Sequence, residues 1–317
     1  RNPFREWIGA QIRADIFGYV MPGCSEKAAD LAFRDASISH DKNGIYGEMF
    51  VAAMVAAAFI ETDAEGIVTA GLNEIPANSR LAEAIRDTQA WCREELAGRA
   101  KNWENVWDKI NERYGHYHGV HTINNAALVV LGIYFGINDF EQGIVVTTLA
   151  GWDTDCNAAT VGSILGVRLG ASALPEKWTG VLNDRLLSAV RDESDNKLSD
   201  LAKRTLSVAK TILITSDKDD KATLTGEASG IWELETGWGV HLLKLSEGTV
   251  YLIDDNLGPF PITASSLADG ELKFSFGIDK GDWDFLVDFE GRLDGDTLEG
   301  SYYPGVVPVN GRRMSHA

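Results

Sequence analysis

Asp153 and Asp155 stand two residues apart in the run Gly151-Trp152-Asp153-Thr154-Asp155-Cys156-Asn157-Ala158-Ala159, ahead of a small-residue stretch that continues through Thr160, Val161 and Gly162. Mg²⁺ and Mn²⁺ prefer oxygen ligands, and Mg²⁺ binds through one or two carboxylates while keeping several waters. An Asp-x-Asp turn that aims both carboxylates at one point suits such an ion, with the Thr154 hydroxyl nearby and the positive end of the following helix close by. The same residue types also make an N-cap cluster, in which a carboxylate accepts from the first amides of a helix. The spacing leaves both readings open.

Three further groups have the residue types for binding. In Ser37-Ile38-Ser39-His40-Asp41-Lys42-Asn43-Gly44-Ile45-Tyr46-Gly47, polar side chains and two glycines gather between Ala-rich segments, where backbone can approach a ligand closely. Ser37, Ser39 and His40 are equally the residues that finish a helix. His116-Tyr117-His118-Gly119-Val120-His121 holds three of the six histidines. No acidic or cysteine partner lies at a zinc spacing, so these histidines are expected to cap and line a cleft rather than hold a transition metal. Arg13, in Ile8-Gly9-Ala10-Gln11-Ile12-Arg13, fits either a bidentate clamp on phosphate or carboxylate or an ion pair between helices.

The elements that must position these groups follow from periodicity. Apolar residues at helical spacing predict helices over about 26–39, 45–61, 78–98, 101–113, 121–136, 139–150, 156–170 and 178–212. Beyond residue 220 the pattern changes to short alternating runs between Gly and Asp turns: Ile231 to Leu234, Val240 to Leu245, Thr249 to Ile253, Leu272 to Phe276 and Trp283 to Phe289. The fold class expected is mainly α: a helical domain over 1–214, a polar linker at 215–221 and a small antiparallel β sandwich or barrel over 222–317. Trp232, Tyr251, Phe274, Phe276, Trp283, Phe285 and Phe289 read as its core, and Trp238, between Gly237 and Gly239, as a surface turn tip.

Composition narrows the partners. The 317 residues carry a net charge of −18, which argues against nucleic acid or an anionic membrane, since both need a basic footprint. No apolar run is long enough to span a bilayer. Three cysteines make no disulfide framework, so a reducing, cytoplasmic setting is the expectation. The chain opens on Arg1 rather than Met, as a fragment or a processed product does.

Ile8 to Arg13, Ser39-His40 with Gly44 to Gly47 and the Ala-rich helix after them, and Asp139-Phe140-Glu141 through Gly170 together resemble the ADP-ribosylglycohydrolase family. The most specific part is Gly151 to Ala159 with Gly162, Gly166 and Gly170, followed by Pro175 and Trp178; the likeness spans roughly residues 4 to 190. It implies an all-α domain whose cleft holds two Mg²⁺ or Mn²⁺ ions, with Asp153 and Asp155 as ligands and residue 156 completing the set. Family members usually carry Thr there; this chain has Cys156, and a thiol is a poor partner for Mg²⁺. On the substrate side the resemblance implies Arg13, Ser39 and His40, and the residue types of the two loops add Gly44, Tyr46, Gly47 and His118 as binding candidates. The family's other ligands come from a Thr-Asp-Asp motif in an N-terminal region that also supplies the acidic residue proposed in catalysis, and no Thr-Asp-Asp occurs here. That points to a portion ahead of these residues, a second polypeptide carrying it, or a degenerate member. The implied reaction is hydrolysis of an N- or O-glycosidic bond to ADP-ribose or a related ribosyl substrate, small or protein-linked. A glycosidase acting on carbohydrate and a non-catalytic ADP-ribose or sugar binder are the alternatives.

Overall fold

The computed structural model describes residues 2–216, 230–236, 239–246, 249–254, 258–268, 271–279, 284–294, 297–303 and 307–313. The chain divides into two compact units, Arg1–Ala209 and Lys210–Ala317. A 3-10 turn, Gln11–Arg13, leads into α1 (Asp15–Tyr19), α2 (Ser25–Ala36), α3 (Asn43–Ala57), α4 (Ala64–Asn73), α5 (Arg80–Ala97), α6 (Trp103–Tyr114), α7 (Thr122–Gly136), α8 (Phe140–Leu149) and α9 (Thr154–Leu169). The fold of this unit is mainly helical, as periodicity predicts.

Two helices form the centre. Every residue of α7 is buried, as are most of α3; helices apolar on all sides belong inside a bundle. The outer helices are amphipathic. In α5 the buried residues Leu81, Ala82, Ile85, Thr88, Gln89 and Cys92 form one stripe, and Ser79 caps its start by accepting from the Ala82 amide at 3.1 Å. Phe50, Met54, Ile85, Ile123, Leu128 and Leu131 are fully buried, each worth about 1.5–3 kcal/mol relative to exposure. Where α7 meets α8 the backbones nearly touch: a Cβ on Gly136 would lie 2.3 Å from the Gly143 Cα.

The structure corrects several boundaries. α4, capped by the Asp63 carboxylate at 2.7 Å from the Gly66 amide, is an additional helix. The helix expected over 45–61 begins two residues earlier, at Asn43 after Lys42 at φ 49, so Gly44, expected ahead of it, lies with Tyr46 and Gly47 in the first turns of α3. The single helix expected over 178–212 is instead α10 (Glu176–Thr179), a 3-10 turn (Gly180–Leu182), a hairpin of β1 (Arg185–Leu187) with β2 (Asp195–Lys197), and α11 (Leu198–Ser216). Asn183, Asp184 and Asp192 take positive φ there and break the helix. Residues 215–216 of the expected linker end α11; the rest of it lies outside the described residues.

In the second unit β3 (Gly230–Thr236), β4 (Gly239–Ser246), β5 (Thr249–Asp254), β6 (Gly258–Ala268), β7 (Glu271–Asp279), β8 (Asp284–Asp294), β9 (Thr297–Tyr303) and β10 (Val307–Arg313) pair antiparallel in sequence order, and β10 closes on β3 as a barrel. Leu234, Phe289 and Leu298 are buried, while Glu235, Glu290 and Glu299 beside them are exposed, the two-residue alternation of a closed sheet with one wet face. Trp238 and Trp283 lie outside the described residues. Among the described residues no helix is long and apolar enough to cross a membrane. No disulfide joins Cys24, Cys92 and Cys156.

Candidate functional site

The carboxylates of Asp153 and Asp155 and the Cys156 sulfur come together at the start of α9, with one ligand atom from each within 4.8 Å of the others. The turn ahead of them is built on positive φ at Gly151 (92°) and at Trp152 (53°). A bulky residue held there is a strained choice, and such strain concentrates at functional sites. Asp153 occupies the N-cap position, yet its side chain makes no capping hydrogen bond. Its carboxylate is therefore not used up by the helix, which the capping reading requires.

The donor chemistry separates the three side chains. Two carboxylates at the positive end of a sixteen-residue helix suit a hard divalent ion that keeps waters. Burial raises the Asp153 pKa and the neighbouring Asp155 adds to it, while the Cys156 thiol opposes the rise by hydrogen bonding. Burial and the Asp153 carboxylate push the Cys156 thiol itself up to about 12. It remains a protonated donor to Asp153 and a poor metal ligand. The oxygen pair fits Mg²⁺ or Mn²⁺; the sulfur does not.

One buried amide fixes this turn to the rest of the fold. Asn125, in the first turn of α7, accepts through Oδ1 from the Asp153 amide at 3.1 Å and from Asn157 Nδ2 at 2.7 Å. Its Nδ2 donates to the carbonyls of Gly119 and His121, both at 2.8 Å. The histidine loop is thereby tied to the carboxylate turn. His121 caps α7, its Nδ1 accepting from the Ile123 amide at 3.2 Å, and His118 Nδ1 accepts from the Val120 amide at 3.3 Å. His118 is exposed and stacks on Trp7 with ring centres 4.7 Å apart. Trp7 pairs with His121 across an antiparallel bridge, and the Ile8 amide donates to the Val120 carbonyl at 2.9 Å.

The substrate-side residues form a second group. Arg13 Nε donates to Asp35 at 2.5 Å, Nη1 to the Gly9 carbonyl at 3.3 Å and Nη2 to Ser39 Oγ at 3.4 Å. Arg13 is thus an interhelical ion pair, and two of its five N–H groups are still unspent. Ser39 Oγ lies 2.8 Å from His40 Nδ1. Burial lowers the His40 pKa, Arg13 pushes the same way, and the Trp7 carbonyl and Asp35 oppose. A neutral imidazole results. Gly44 is required by close approach, since a Cβ there would sit 2.3 Å from the Arg5 carbonyl oxygen and 3.1 Å from His40 Cδ2. Likewise a Cβ on Gly47 would meet Thr122 at 2.4 Å and Gln11 Oε1 at 3.1 Å.

Glu48 belongs to this second group although its spacing gives no sign of chemistry. It is fully buried, with Arg13 Nη2 4.0 Å from its carboxylate. Burial pushes its carboxyl up to about 8, Asp35 adds to the rise and Arg13 opposes it. The available signal is composition: Glu48 is the one charged residue in Asn43–Ala57, a helix otherwise apolar or small.

The structure therefore gathers Arg13, Ser39, His40 and Gly44 in one cluster, Gly47 at its edge, and Asp153, Asp155 and Cys156 in another. His118 belongs to the loop that Asn125 ties to the carboxylate turn and that pairs with Trp7 and Ile8. Tyr46 is half-buried and makes no side-chain hydrogen bond among the described residues. The family model described as ADP-ribosylglycohydrolase matches residues 2–212. No curated protein matches the chain.

Proposed function

The chain belongs to the ADP-ribosylglycohydrolase family, and from that premise we propose that it hydrolyses an N- or O-glycosidic bond to ADP-ribose or a related ribosyl group, with Mg²⁺ or Mn²⁺ held by Asp153 and Asp155. Glycohydrolase activity on ADP-ribose-type substrates comes with the family; the metal and the residue roles are inferred from the site. The observation that carries the inference is the Asp153 carboxylate, placed at a helix start, unspent on capping and converging with Asp155.

Bound there, a divalent ion supplies charge stabilisation for ribose hydroxyls and for an attacking water as the anomeric carbon becomes oxocarbenium-like. The chain's own residues do the rest. Asn125 holds the Asp153 backbone in place, so the carboxylates meet the ion without reorganising. The unspent N–H groups of Arg13 face an anionic group such as a pyrophosphate, with the charge of Asp35 already neutralising part of the guanidinium so that the pair releases ligand as well as binding it. His118, stacked on Trp7, offers a flat ring to a base or sugar. Neutral His40 orients Ser39 toward Arg13.

Counting protein-bound Mn²⁺ after dialysis and measuring ADP-ribose release from ADP-ribosylated arginine, with and without chelator, tests this reading. Asp153→Ala and Asp155→Ala are expected to lose metal and turnover with helix content intact. Unchanged hydrolysis in both variants would overturn it.

A further inference from the structure

Glu48 is unusual among the buried groups. Its carboxyl hydrogen-bonds the Asp35 carboxylate, a contact that requires the proton on Glu48, while both amide atoms of Gln11 and Thr122 Oγ1 lie fully buried with no hydrogen-bond partner among the described residues. Gln11 and Thr122 flank Gly47, the residue before Glu48. Buried polar atoms rarely stay unpaired, and a carboxyl costs most. Glu48 has only two charged groups acting on it from the described elements packed against α3: Asp35 from α2 and Arg13 from the 3-10 turn. Asp35 accepts from Arg13 Nε and is held below the usual carboxylate range chiefly by that bond, so it is the ionised member of the pair. The arrangement is a protonated acid and an ionised acid on either side of one guanidinium.

We propose that Glu48 is a positioning residue: from beneath the site it shares Asp35 and Arg13, and so fixes how Arg13 reaches Ser39 and, through Ser39, His40. Because Glu48 is fully enclosed it touches no substrate. It works by limiting Arg13 to one orientation, Nε on Asp35, Nη1 on the Gly9 carbonyl and Nη2 on Ser39. Its neutrality matters to the charge of the site. With Glu48 protonated, Arg13 and Asp35 sum to zero; with Glu48 ionised, the cluster becomes net negative and repels an anionic ligand. The part of this that concerns substrate rests on the hydrolase reading above; the part that concerns Arg13 and His40 does not.

The test uses ¹⁵N NMR of the whole chain, following the Arg13 Nε–H and the His40 ring nitrogens in wild type, Glu48→Gln and Glu48→Leu. The Gln variant, neutral and of the same shape, is expected to keep both signals. The Leu variant is expected to shift the His40 nitrogens and to speed Arg13 Nε–H exchange by about tenfold, the equivalent of one lost charge-assisted bond. In wild type the Arg13 signal is expected to move with a midpoint near pH 8, and in Glu48→Gln to stay fixed. Signals in folded Glu48→Leu identical to wild type would overturn the proposal. Should that variant not fold, the wild-type titration decides, and a flat Arg13 signal across it overturns the proposal equally. In the hydrolase assay a raised KM with little change in kcat for Glu48→Leu supports the substrate part. Absence of any hydrolysis in wild type sinks the hydrolase reading alone, since the NMR result stands without it.

Discussion

Replacing Glu48 by Gln is expected to make the helical unit more stable at neutral and alkaline pH, although it removes a natural buried side chain. The carboxyl has an ordinary pKa near 4.5 in the unfolded chain and about 8 in the fold. Its folded value is the higher one, so the folded state binds the proton more tightly. The stability Glu48 contributes is complete below about pH 4.5 and is lost as pH rises toward 8. At about 1.4 kcal/mol per pH unit, that interval sets a ceiling of roughly 5 kcal/mol. Arg13, 42% exposed, brings water to one side of the cluster, and relaxation around the carboxylate lowers the figure further, to about 2 kcal/mol. Gln carries the same shape without the titration. Wild type and variant should therefore have equal opening free energies near the acid end, and the variant should lead by about 2 kcal/mol at the alkaline end. Hydrogen exchange of the buried α3 and α7 amides, corrected for intrinsic rates, reads this within the helical unit alone. Parallel curves for the two proteins, or a Gln variant that weakens with rising pH, would refute the reasoning.

Other outcomes are open to direct measurement. Asn125→Ala removes a fully buried side chain that makes four hydrogen bonds; chemical denaturation should show a loss of about 3 kcal/mol, and Mn²⁺ affinity should fall with it. Gly44→Ala places a methyl 2.3 Å from the Arg5 carbonyl oxygen and should cost about 3 kcal/mol with a lowered Tm, whereas Gly166→Ala, with open space around it, should be neutral or slightly stabilising. The Cys156 thiol, pushed up to about 12, should resist alkylation at pH 8 in metal-free protein, as mass spectrometry reports. Cys156→Thr should tighten Mg²⁺ binding by calorimetry, because an oxygen replaces a protonated sulfur.

The pair Asp153 and Asp155 was legible because the chemistry lies in the local spacing, and so was the change from helical to alternating pattern near residue 220. Glu48 was not, since a lone acid after two glycines reads like a helix start; only the apolar surroundings on every face of α3 reveal that it must be inside. α4 escaped because Gly66 and Gly71 dilute a ten-residue pattern. Residues 178–212 misled in the opposite direction: apolar spacing continues through them, but three residues with positive φ turn the chain into a hairpin, and Asn and Asp tolerate that conformation in ways periodicity does not register. The role of Asn125 was invisible for a different reason. Its four partners lie at separations of up to 32 residues, set by packing rather than pattern.

The bridge between Trp7 and His121 joins positions more than a hundred residues apart in the chain. Closing a loop of that length costs more chain entropy than a contact between neighbours does. The bridge sets Trp7, whose carbonyl bonds His40, against the histidine loop, and Arg13 is tied to the same segment through the Gly9 carbonyl. Opening it again is a sub-global event that need not disturb the core. The binding face is thus held by contacts between segments far apart in the chain rather than within one helix, so it can open locally while the helices beneath it stay closed.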